Sequence, residues 1–187
     1  MIRQGYLTGP VLGALWMVVL SVTVAVAMSF ATGEAFRPSM LLSLLWGALA
    51  GGAMVALGRS RIIQLGILAA LIVVILLGIG PVLAGAETSG FARVVGALIL
   101  GAGFAASLAA ILYEIVPGAL NRHEFEGAVI RFLTGFGYIF FTAIVLIPFY
   151  VMVMTSLKNQ SELIQNPLDF SIDLSKGVEL FRSYDEL

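Results

Sequence analysis

Chemistry on a polypeptide needs titratable, nucleophilic or metal-binding side chains brought close together, and this chain carries few of them. It has one histidine, His123, and no cysteine. A lone imidazole cannot build a histidine cluster, and without thiols there is no disulfide framework, zinc–thiolate site or thiol nucleophile. No glycine-rich segment ends in Lys-Ser or Lys-Thr to cradle phosphates, and His123 is the only imidazole that could activate a serine. The sequence therefore points away from an enzyme and calls for no cofactor or metal. Glu114 is the one carboxylate close to the interior of a long apolar stretch, which makes it a candidate proton carrier. It also stands three residues before Pro117, where it can reach interfacial water or pair with Arg122 or Arg131. Helix ends accommodate charge cheaply, so the interfacial reading is favoured over a proton relay. Gln64 is placed similarly near an end.

A second motif is textual. LILGAGFAAS contains Gly101-x-Gly103-x-x-Ala106, the spacing of a dinucleotide-binding fingerprint. That fingerprint needs a preceding strand and an exposed helix start, whereas the apolar pattern here continues unbroken through Ile111 and Leu112. Small residues within an apolar helix have a simpler use, because they let backbones approach where lipid supplies no hydrophobic force between helices. Gly47-x-x-x-Gly51 is read the same way.

These residues sit in a chain of 187 residues that is 60% hydrophobic and 11% charged, with a mean hydropathy of +1.04. Soluble domains carry about 25% charged residues, so this is a membrane composition. The net charge of −1 gives no basic face for nucleic acid. An apolar helix needs about 20 residues to cross a hydrocarbon layer of ~30 Å. Five segments are of that order: 10–32, 39–57, 62–84, 92–116 and 132–157. The expected fold is all-α and polytopic, with five transmembrane helices in the lipid bilayer. All charges lie outside these segments or near their ends, with Arg93 and Glu114 as the marginal cases.

Short links make the first four helices antiparallel neighbours and define a leading membrane region over 1–117. The next link, 118–131, is longer; Asn121-x-x-Glu124 can cap a helix start, and Leu120, Val129 and Phe132 allow a short interfacial helix there. Arg3, Arg59, Arg61, Arg122 and Arg131 flank the spans on the amino-terminal side, against Arg37 and Arg93 on the other. The excess places the N-terminus in the cytoplasm and residues 158–187 outside, in the periplasm of a Gram-negative cell, although Lys158 weakens the contrast. The competing reading of the first segment is a secretory signal cleaved near Ala25-Val26-Ala27. It is disfavoured because the apolar run is longer than a signal core and further membrane helices follow it.

The fifth span contains Pro148, which removes a backbone hydrogen bond to the Ile144 carbonyl and predicts a bend. Ile147-Pro148-Phe149-Tyr150, then Thr155-Ser156-Leu157-Lys158 and an acidic residue at Glu162, resemble the first core helix of carbohydrate ABC transporter permeases of the maltose type. Asn166-Pro167, a polar stretch, and Val178, Phe181, Tyr184 and Leu187 at helical spacing are similar to that family's external segment. The resemblance covers 132–187. It implies a bacterial inner-membrane importer in which a second permease subunit completes the path, a cytoplasmic ATPase drives it and a periplasmic sugar-binding protein delivers the substrate. In that setting Pro148 shapes the core helix, while Ser156 and Lys158 end it at the outer interface. Two features depart from the family: four spans precede the matching helix, and the Glu-Ala-Ala loop that docks on the ATPase does not occur within these residues. The expectation is an amino-terminal portion of a longer permease. The rival reading is a stand-alone membrane scaffold or assembly protein without transport activity. A third, an ion-coupled carrier, requires Glu114 to face a water-filled cavity.

Overall fold

A computed structural model of the chain describes residues 4–58, 60–85 and 88–157. Arg3, Arg59 and the segment 158–187, with Lys158 and the whole external portion of the resemblance, lie outside the described residues. The described chain is mostly helical. Its elements are α1 (Gly5–Thr32), β1 (Phe36–Pro38), α2 (Met40–Leu57), α3 (Arg61–Leu76), β2 (Val82–Ala84), α4 (Gly90–Ile111) and α5 (Arg122–Leu157). By length and composition, α1, α2, α4 and Arg122–Val153 of α5 can cross a membrane.

The chain sets its own boundaries. α1 stops where Gly33 adopts φ 69, the left-handed conformation that glycine enters without penalty, and the Gly33 N–H returns to the Ser29 carbonyl. Ser60 and Ser89 cap α3 and α4 by accepting from the N–H groups of Ile63 and Ala92. The apolar run 62–84 is not one helix, which corrects the sequence expectation. It leaves the helix at Leu77, turns through Gly78 at φ 76, and then reaches Gly80-Pro81, where proline has no N–H to give. Residues 82–84 instead form an antiparallel ribbon with β1, in the register Phe36↔Ala84, Arg37↔Leu83 and Pro38↔Val82. The wholly helical expectation is amended by this ribbon. α3, with 16 residues, rises only about 24 Å. The fourth run is helical only from Gly90 to Ile111, and residues 112–116 turn toward α5.

The link 118–131 holds no separate interfacial helix. Its last ten residues are the opening turns of α5, started by Asn121, whose N–H donates to Glu124 Oε2 at 2.8 Å and whose carbonyl accepts from Phe125. The Arg122–Glu126 pair at 2.6 Å strengthens that first turn.

The ribbon joins the α1–α2 and α3–α4 connections at one end of the bundle. At the other end the Gly5 N–H donates to the Gly118 carbonyl at 2.7 Å, and Gln4 bridges Ala119. α1 to α4 thus alternate in direction between a ribbon end and a link end. α5 starts at the link end and runs parallel to α1, since Phe132 and Gly135 meet Trp16 while Tyr150 meets Phe30.

α1 lies at the centre of the packing. Gly9 and Gly13 oppose Gly51 and Gly47 of α2 so closely that a Cβ at any of the four would strike the facing backbone. Such approach lets two helices gain dispersion contacts along their whole meeting line. Toward the ribbon end, Ser43 Oγ lies 2.9 Å from Ser21 Oγ and 3.3 Å from the Pro81 carbonyl, so a buried hydroxyl pair ties α1 and α2 to the segment leading into β2. Trp46 Nε1 adds a bond to the Ile79 carbonyl at 2.9 Å.

Candidate functional site

The residues singled out by sequence fall into two groups at opposite ends of α5. Nineteen positions separate Arg131 from Tyr150, about 28 Å along a helix, so they do not form one site.

At the link end, Glu114 sits in the turn after α4 and its Oε1 lies 2.7 Å from Arg131 Nη2. The two side chains are 36% and 32% exposed, which places the pair at the edge of the bundle. The Arg131 guanidinium also lies over the Tyr113 ring, 5.8 Å from its centroid. Gly127 makes room for the carboxylate, because a Cβ there would come within 3.0 Å of Glu114 Oε2. Of the two arginines that sequence offered Glu114, the fold selects Arg131, and Arg122 turns to Glu126 instead. This arrangement bolts the α4 end to α5. An apolar groove of about 510 Å³ between α1 and α2, lined by Pro10, Leu45, Ala48, Leu49, Gly52 and Ala53, contains no titratable side chain.

At the ribbon end, the helix is continuous through Pro148 to Leu157. Tyr150 points back to the bundle, its hydroxyl donating to the Phe30 carbonyl at 2.7 Å and its ring 5.6 Å from that of Phe30. The Glu34 N–H, which would donate to this carbonyl in a continuing helix, donates to Thr32 Oγ1 at 3.2 Å. Ser156 Oγ donates to the Val153 carbonyl at 2.7 Å, a local bond within its own helix. The side chains of Thr155 and Leu157 lie outside the described residues, as does Lys158.

Between these ends α5 is nearly uncovered. None of the residues in its most apolar window is buried, whereas 33% to 44% are buried in the corresponding windows of α1, α2 and α4. Phe136, Tyr138, Phe140, Phe141 and Phe149 are all exposed. The main intermediate hold is Trp16, which is 3% exposed; its ring covers Gly135, meets Phe132 edge-on at 5.7 Å, and its Nε1 donates to Ser107 Oγ at 2.6 Å.

Gly101 lies buried inside the unbroken helix α4 with Leu68 of α3 against it, while nothing stands within 4 Å of a Cβ at Gly103. The nucleotide-fingerprint text thus falls in the middle of a packed helix. Sequence reasoning missed Trp16 and the hydroxyl pair Ser21–Ser43. It also missed Gly9 and Gly13, although their four-residue spacing repeats that of Gly47 and Gly51 and was a usable signal. Among the described residues, no three His, Cys, Asp or Glu side chains come together in a way that could hold a metal ion. The chain matches no protein-family model, no curated protein and no solved structure.

Proposed function

We propose that this chain crosses the bacterial inner membrane five times and serves as a permease subunit of an ATP-driven carbohydrate importer, in which α5 belongs to the translocation core. The observation that carries the reading is the contrast in cover along the chain. The helix bearing Ile147-Pro148-Phe149-Tyr150 is also the one whose apolar surface the other helices leave bare. A helix of a shared core is expected to look like this when its neighbours come from other segments or subunits.

Five crossings are supported by the ribbon: α2 departs from it and α3 with residues 77–81 leads back to it, so the short α3 also runs between the two ends of the bundle. Arg61, Arg122 and Arg131 gather at the link end, against Arg37 and Arg93 at the ribbon end. That bias favours a cytoplasmic N-terminus and a periplasmic exit for the chain after Leu157. The partners in this reading are a second permease subunit, a cytoplasmic ATPase and a periplasmic sugar-binding protein, with no catalytic residue of its own.

Affinity purification of the tagged gene product from its own membranes tests this. An ATPase and a sugar-binding protein should accompany it in stoichiometric amounts. Recovery of neither rejects the importer in favour of the scaffold reading, which the self-contained packing of α1 to α4 also suits.

A further inference from the structure

The outer half of α5 is joined to the rest of the molecule in an unusual way. Residues 144–149 are each exposed, and Pro148 falls inside this bare stretch. Proline removes the amide that would bond the Ile144 carbonyl, so the helix is weakest where nothing surrounds it. Two residues later, Tyr150 regains the bundle through its hydroxyl on the Phe30 carbonyl, at an end of α1 whose own helical donor is diverted. The outer half of α5 thus combines a missing backbone bond with a polar tether to α1 just beyond it.

We infer that Tyr150 is a latch and Pro148 the hinge it holds closed, so that the leading bundle sets the direction in which the outer turns of α5 point. Tyr150 is in this sense a positioning residue: it acts on α5 through α1. With the phenol bonded to Phe30, residues 149–157 stay along α1; with it released, they swing about Pro148 toward whatever flanks the bare face. The inference gives α1–α4 a task that the resemblance to a permease core leaves unassigned. It rests on the permease reading only for the consequence for transport.

The absence of cysteine allows a direct test on the whole chain in lipid nanodiscs, with spin labels at Leu41→Cys on α2 and Val153→Cys on α5. The unsubstituted latch should give one narrow distance. Tyr150→Phe should add a second population displaced by about 4 Å, the arc of a roughly 30° swing on five residues at 1.5 Å each. Adding Pro148→Ala to Tyr150→Phe should restore the single distance. Phe30→Leu, which keeps the accepting carbonyl, should leave the distribution largely single. An unchanged distribution in Tyr150→Phe overturns the latch, and broadening in Phe30→Leu alone transfers the hold to ring packing and overturns it equally. A second population that persists in the double variant overturns the hinge. Should Tyr150→Phe fail to reconstitute, amide exchange on the unsubstituted chain decides: residues 149–157 should exchange at least about tenfold faster than 24–32, and equal protection rejects the proposal. No ATPase, binding protein or sugar enters these measurements, so they can succeed where copurification fails, and the reverse.

Discussion

α1 and α2 meet backbone to backbone, whereas α5 meets the same α1 through the tips of Trp16 and Tyr150. Both helices are apolar and both are long enough to cross a membrane, so hydropathy cannot tell them apart. Surface relief does. Glycines at four-residue spacing on both partners remove the Cβ layer and bring two helical cylinders into continuous contact. α5 presents exposed phenylalanines along most of its middle, and where it meets α1 the Trp16 ring lies between the two helices, against Gly135. The lesson is that where two helices of this chain come closest both present small residues, while the bulky side chains along the middle of α5 are left for lipid or for other proteins.

The comparison breaks most violently at the glycine contact. In Gly13→Val the new side chain meets the Gly47 carbonyl and the Gly51 backbone, neither of which can move aside as a flexible side chain could. Overpacking against a rigid neighbour should cost about 3 kcal/mol, enough to lose monodisperse protein in detergent. Size-exclusion profiles after mild heating measure it. Gly137→Val on α5 serves as the control, because nothing lies within 4 Å of the added Cβ, and it should be tolerated.

Next in size is the hold of α1 on α5 and α4. Trp16→Phe keeps an aromatic ring near Phe132 but deletes the donor to Ser107 and part of the cover over Gly135. Interhelical hydrogen bonds in lipid contribute about 1 kcal/mol, and the lost ring area adds a comparable amount, so a loss of about 2 kcal/mol is expected. Denaturant titration in micelles, followed by the fluorescence of Trp46, reports it.

How much of this was legible beforehand depends on the kind of signal. Helix runs of bilayer length show in composition because lipid forces every backbone polar group to be satisfied within the segment. The end of α3 was misplaced because Val82, Leu83 and Ala84 are as apolar in a ribbon as in a helix; Gly78, Gly80 and Pro81 were the readable warning. The start of α5 was set too late because a charged helical segment and an apolar one join without a breaker between Arg122 and Phe132. Glu114 was correctly limited to a few partners by its distance from Arg122 and Arg131, but only the fold could choose between them. Trp16 was silent, since a tryptophan in an apolar run looks the same whether it faces lipid or covers a glycine.

The Glu114–Arg131 pair gives a smaller effect. Glu114→Gln removes one charge from a pair about one-third exposed, and solvent screening limits the loss to about 1 kcal/mol or less. A double-mutant cycle with Arg131→Gln should return a coupling of that size. The same variant separates two functional readings: an importer driven by an ATPase keeps its transport, whereas an ion-coupled carrier using Glu114 loses it entirely.

The smallest expected effect falls on the bare face and is the most informative for that reason. Phe141 is 69% exposed and touches Phe140 of its own helix edge-on, 6.1 Å between centroids. Phe141→Ala should change the stability of the isolated chain by less than about 0.5 kcal/mol, as for other substitutions away from packed features. If α5 is a core helix awaiting neighbours, the same substitution should cut recovery of the partner subunits severalfold, because a buried aromatic anchor at an interface is worth about 2 kcal/mol or more when truncated. A face that only lipid covers predicts no change in either measurement. The two assays therefore separate a surface left bare for assembly from one left bare for solvation by the bilayer, and a loss of stability in the isolated chain would show that α5 is held more tightly than its contacts with Trp16 and Phe30 account for.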